Sequence, residues 1–86
     1  MIVYGTRDCP HTIAARKELD ELGITYNFSD LRYTINLKQF LSYRDNLDIY
    51  DRHKDAGAIG IPTFVLDDGT VSVVLEEVKT YFSNEA

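Results

Sequence analysis

The spacing of apolar positions changes repeatedly along the chain, and each change marks an element. Residues 1–5 (Met-Ile-Val-Tyr-Gly) form a short β-branched apolar run closed by a glycine, the pattern of a buried strand. The period then becomes helical: Ala15, Leu19 and Leu22 recur on one face, Ile13 widens it, and Gly23 stands where a left-handed C-terminal cap belongs. Pro10 suits the first helical position, which puts Cys9 at the cap, and Arg16 and Asp20 are spaced to pair on the wet side. Ile24, Tyr26 and Phe28 alternate with Thr25 and Asn27, predicting a second strand. Thr34 can cap a helix carrying Leu37, Phe40 and Leu41 to about Tyr43 or Arg44. Asp45-Asn46-Leu47 then reads as a break, and Asp48 as the cap of a short helix ending before Gly57. The β-rich runs 61–66 and 70–74 flank Asp67-Asp68-Gly69 and predict a hairpin. Leu75, Val78 and Phe82, with Tyr81 beside them, predict a closing helix that frays into Ser83-Asn84-Glu85-Ala86.

Strand, helix and strand, then helix, hairpin and helix, predict an α/β fold: a four-stranded mixed sheet flanked by helices, in the thioredoxin-like arrangement. No repeat, linker or low-complexity tract divides it, so residues 1–86 are expected to form a single domain. With 44% hydrophobic residues the chain can bury one core of modest size. A formal net charge of -5 and the lack of a basic stripe argue against a nucleic-acid partner. No run approaches the roughly 20 apolar residues of a membrane span, and the first residues lack the features of a signal peptide. The expected setting is therefore cytoplasmic, with no membrane partner. One cysteine cannot form an internal disulfide, so the thiol is expected to stay reduced between encounters.

That cysteine lies in Arg7-Asp8-Cys9-Pro10-His11-Thr12, where the first strand hands over to the first helix. Unpaired first-turn amides and the helix dipole favour a thiolate there. Cys-X-X-Thr keeps the frame of the Cys-X-X-Cys redox motif with one sulfur, so any chemistry runs on Cys9 alone. An unperturbed thiol is only about 3% ionised at pH 7. Lowering its pKa raises that fraction but costs nucleophilicity, so the larger gain is as a leaving group from its own mixed disulfide. Thr12 can donate its hydroxyl to the thiolate, a protonated His11 would add charge, and Arg7 can offset Asp8, which opposes ionisation. The plainer readings are a small buried cysteine and ordinary exposed first-turn residues. Two histidines and one cysteine so spaced are a poor zinc set, and no metal is expected.

Cys9-Pro10-His11-Thr12, taken with Gly60-Ile61-Pro62-Thr63-Phe64-Val65 before the hairpin, resembles the glutaredoxins and small bacterial glutaredoxin-related proteins over nearly the whole chain. The resemblance implies a monothiol thiol-disulfide oxidoreductase acting on glutathione mixed disulfides. Cys9 would be the nucleophile, tuned by Arg7, Pro10, His11 and Thr12. It further implies a cis Pro62, with Ile61 offering its backbone to glutathione and Thr63 completing the substrate-binding loop. Reduced glutathione would be the co-substrate, glutathione or glutathionylated proteins the partners, and the working form a monomer. Thr6 stands where the family often has a lysine, and no Gly-Gly-X-Asp segment follows Asp68-Gly69. Arg52-His53-Lys54 reads as a solvated helix face or as a contact for the glycyl carboxylate of glutathione. The alternatives are a non-catalytic binding module using the Ile61-Pro62 groove, and an iron-sulfur homodimer built on two copies of Cys9.

Overall fold

A computed structural model describes residues 1–85. Its elements are β1 (Ile2–Gly5), α1 (Pro10–Glu21), β2 (Asn27–Asp30), α2 (Thr34–Asn46), a 3-10 turn (Asp48–Tyr50), α3 (Asp51–Asp55), β3 (Thr63–Val65), β4 (Val71–Ser72) and α4 (Leu75–Glu85). The strands form one mixed sheet in the order β2-β1-β3-β4. β1 runs parallel to β2 and antiparallel to β3, and β3 pairs antiparallel with β4. The α/β class and the four-stranded mixed sheet are thus as the pattern predicts.

β1 sends successive side chains to opposite faces, as strand geometry requires, and each face has its own core. Val3 packs with Ala15 and Leu19 of α1, Phe64, Leu66 and Val78 of α4. Tyr4 packs with Leu31, Phe40 of α2 and Tyr50. The sheet is therefore the middle of three layers, with α1 and α4 on one side and α2 with the 3-10 turn on the other.

Several boundaries differ from the pattern. β2 starts at Asn27, not Ile24, because its parallel register begins at Ile2 opposite Asn27, and residues 24–26 lie past the end of β1. Ile24, Tyr26 and Phe28 still pack on the α1–α4 core, so the alternation records burial, not the ladder. Thr34 and Asp48 are first residues of their elements and not caps; the cap positions fall to Tyr33 and Leu47, neither with a side-chain bond. α2 runs through Asp45 to Asn46, whose side-chain amide donates to the Ser42 carbonyl at 2.7 Å. On α1 the buried residues are Thr12, Ala15 and Leu19, while Ile13 and Leu22 are exposed. Ile13 lies about 100° round the helix from Thr12, which places it off the buried stripe. Arg16 does not pair with Asp20. Its Nε donates to the Tyr26 hydroxyl at 3.2 Å, and its guanidinium lies 3.9 Å from the centre of the Phe28 ring, where an aromatic face attracts a cation. The closing helix continues to Glu85 instead of fraying at Ser83.

Candidate active site: a helix-cap thiol beside an anchored loop

β1 ends at Gly5, and residues 6–9 carry the chain to α1. Cys9 is the N-cap, with extended backbone (φ -78°, ψ 121°), and Pro10 occupies the first turn. The Cys9 carbonyl accepts from the Ile13 amide at 2.9 Å, so the helix is closed on this residue. The Cys9 side chain is half-buried and free. Partial burial pushes the thiol pKa up, but the Thr12 hydroxyl and the Thr12 and His11 amides push it down and prevail, against a smaller upward push from Asp8. The net result is a thiol held below its ordinary value.

Thr12 is fully buried, and its hydroxyl completes no hydrogen bond within the described residues. That hydroxyl favours the Cys9 thiolate, yet with the thiol protonated it has no hydrogen-bond partner among the described residues. We read it as a donor satisfied when Cys9 ionises, since buried hydroxyls rarely stay unpaired. Thr12 is held from below by Gly5. A Cβ on Gly5 would lie 2.7 Å from both the Thr12 hydroxyl oxygen and its methyl carbon.

The other expected tuning residues fall out differently. His11 is exposed and acts on the sulfur through its backbone amide. Arg7 Nε donates to the carboxylate of buried Asp30 at 3.2 Å, and Arg7 is not among the groups that move the Cys9 thiol.

The Ile61–Pro62 peptide is cis, as the resemblance implies. Tyr4 pairs with Thr63, so the end of β1 at Gly5 and the start of β3 after Pro62 lie at the same end of the sheet. The Cys9 loop and the Pro62 loop therefore issue from adjacent strand ends. Thr63 is fully buried, and its hydroxyl donates to the Gly60 carbonyl at 2.8 Å, inside the loop. The Ile61 amide and carbonyl, by contrast, make no hydrogen bond among the described residues.

The chain is 35% identical over 82 residues to an uncharacterized protein of Haemophilus influenzae, covering 94% of this chain and 95% of that one. The two belong to one family. No family model matches the sequence, and no solved structure matches it.

Other members of the site were not legible in the sequence. Asp30, buried at the end of β2 opposite Gly5, accepts from Arg7 and from the Arg32 amide at 2.9 Å, and its carbonyl accepts from the Asn36 side chain at 3.0 Å. Asp30, Arg7 and Arg32 help wall a groove of about 590 Å³ whose lining also includes Asp8, Leu37 and Ile59. Cys9 does not line it; the groove begins at its neighbour Asp8. Arg44 of α2 donates to the Ala58 and Ile59 carbonyls at 3.1 and 2.8 Å. The Arg52-His53-Lys54 run lies apart from the groove on α3. Arg52 and Lys54 are exposed, but His53 packs half-buried against Tyr50 with its Nδ1 unpartnered, so that face is not wholly solvated. Among the described residues no three His, Cys, Asp or Glu side chains gather to hold a metal ion, and no helix is long and apolar enough to cross a membrane.

Proposed function

We propose that this protein is a one-cysteine thiol-disulfide oxidoreductase of glutaredoxin type, its mixed sheet being the thioredoxin-like form and its setting the reducing cytoplasm. The observation that carries the reading is Cys9: a half-buried thiol at a helix N-cap, held low by first-turn donors. A lowered pKa suits a catalyst that must leave its own mixed disulfide, because a better-stabilised thiolate departs faster.

In the proposed cycle the Cys9 thiolate attacks the glutathione sulfur of a protein–glutathione disulfide. The S–S bond breaks, the protein sulfur departs with the electron pair and takes a proton, and Cys9 is left disulfide-bonded to glutathione. The thiolate of a second glutathione then attacks the glutathione sulfur of that adduct, releasing Cys9 as thiolate and oxidised glutathione. A protein–glutathione disulfide and one glutathione thereby become a protein thiol and oxidised glutathione, the substrate's own glutathionyl group supplying one half of that disulfide and the incoming thiolate the other. Two features of the site support such a substrate. The unbonded Ile61 amide and carbonyl can pair with an extended peptide as an added strand does. The groove beside Asp8 lies within the volume range of small-molecule sites, about 300–1,000 Å³.

Incubation with oxidised glutathione followed by intact-mass measurement tests the reading. A stoichiometric adduct on the native chain, absent from Cys9→Ser and released by reduced glutathione, is the expected result. A native chain that forms no adduct would sink it.

A further inference from the structure

Residues 58–62 have no regular secondary structure, yet the carbonyls of Ala58, Ile59 and Gly60 are each held by a side chain. Arg44 takes those of Ala58 and Ile59, and the Thr63 hydroxyl takes that of Gly60 at 2.8 Å. Thr63 has one hydroxyl proton, and a carbonyl can only accept, so that proton goes to Gly60. The 2.7 Å contact between the Thr63 and Tyr50 oxygens must then be a bond donated by Tyr50. Both side chains are fully buried.

Tyr50 holds the loop a second way. Gly60 is buried at φ +95°, with its backbone against the Tyr50 ring. A Cβ there would lie 2.7 and 2.9 Å from two ring carbons, so the fit requires glycine on both steric and conformational grounds. The ring is fixed in turn by an edge contact to Phe40, centres 6.0 Å apart and planes at 85°. Thr63, next in the relay, opens β3 in register with Tyr4. The segment is thus pinned at Gly60 and again at Thr63. Between the pins lie Pro62, which has no amide hydrogen, and Ile61, whose amide and carbonyl have no partner among the described residues.

We infer that Tyr50 is a positioning residue: through Thr63 and Gly60 it sets the direction of the Ile61 amide and carbonyl against which an extended, cysteine-containing peptide disulfide pairs. The inference rests on the thiol-exchange reading of Cys9. Tyr50 belongs to the layer opposite α1, so its hydroxyl acts on substrate pairing and leaves the sulfur as it is.

The test compares the native chain with Tyr50→Phe, Thr63→Val and Thr63→Ser. Steady-state reduction of a glutathionylated peptide is run with glutathione as reductant, beside the pH profile of Cys9 alkylation by iodoacetamide and thermal melting. The expected result is a KM raised about tenfold in Tyr50→Phe and Thr63→Val, well inside the 10²-fold that a 1 Å misplacement can cost. kcat and the alkylation profile stay as in the native chain, and Thr63→Ser, which keeps the hydroxyl, restores the native KM. A native KM in a folded Tyr50→Phe overturns the inference while leaving the thiol reading standing. So does a fall in melting temperature accompanied by equal losses in kcat and alkylation, which is the mark of a merely structural residue. A native chain that reduces no glutathionylated peptide overturns both.

Discussion

Replacing Gly5 by alanine should damage stability and thiol chemistry together, by one contact. The added methyl would sit 2.7 Å from the Thr12 hydroxyl oxygen and methyl carbon, where non-bonded atoms rest at about 3.5 Å or more. The first turn of α1 must therefore retreat by about 0.8 Å or Thr12 must leave its rotamer. Overpacking of this kind costs about 1–3 kcal/mol. In a domain this small that corresponds to a loss of about 5–20 °C in melting temperature. Gly5 carries no positive φ, so the cost is steric and not conformational, and it should vanish when the obstruction is removed. Thr12→Ala deletes both offending atoms and leaves the Thr12 Cβ at 3.3 Å. The double variant Gly5→Ala/Thr12→Ala should accordingly recover about 1–2 kcal/mol over additivity, within the range seen for residues in contact. Cys9 should behave differently. Gly5→Ala moves Thr12 from the sulfur and raises the pH at which Cys9 alkylates, and the double variant cannot lower it again because the hydroxyl is gone. Additive stabilities, or an alkylation profile indifferent to Gly5→Ala, would refute the reasoning.

Thr12→Val should move the Cys9 alkylation midpoint to higher pH, whereas Thr12→Ser keeps the donor and should leave the midpoint near that of the native chain. Asp8→Asn should move it to lower pH by removing an opposing charge, and the difference should shrink as salt screens this exposed group. Because the folded thiol is held below its unfolded value, the ionised form favours folding. That contribution is complete above the ordinary thiol pKa of about 8.5 and is lost as pH falls through the folded value. Denaturant melts should show the native chain gaining on Cys9→Ser with rising pH across that window; a flat difference would contradict the lowered thiol. Asp30→Asn should cost about 1–3 kcal/mol in chemical denaturation, since a buried acceptor bonded to Arg7 and the Arg32 amide loses its charge.

The sheet was largely legible because apolar period and turn residues report burial and chain reversal directly. Val3, Leu19, Phe40, Phe64 and Val78 announce their faces by spacing alone. Strand limits were not, because a strand extends only as far as its neighbour, and the partner of Asn27 is fixed by register and not by its own side chain. At the site, Cys9, Pro10 and Thr12 were readable from local rules for helix starts. Asp30, Arg44 and Tyr50 were not, because each meets its partner only after the chain has folded back. Tyr50 sits in a polar-looking turn, and its bond to Thr63 spans a separation no periodicity records. The partner of Arg7 was hidden for the same reason: sequence proximity suggested Asp8 and the sulfur, while the sheet brings in Asp30.

The two faces of β1 have a consequence for how the protein can fail. The sulfur is mounted on the α1–α4 layer, and the loop carrying Ile61 is tied by Arg44 and Tyr50 to the α2 layer. If the protein works as proposed, lesions should sort by layer into two complementary defects: chains that hold a substrate they cannot attack, and chains with a reactive sulfur that no longer hold one. A molecule engaging both would act as a rivet across the sheet, protecting amides of the two half-cores together although they share little but a single central strand.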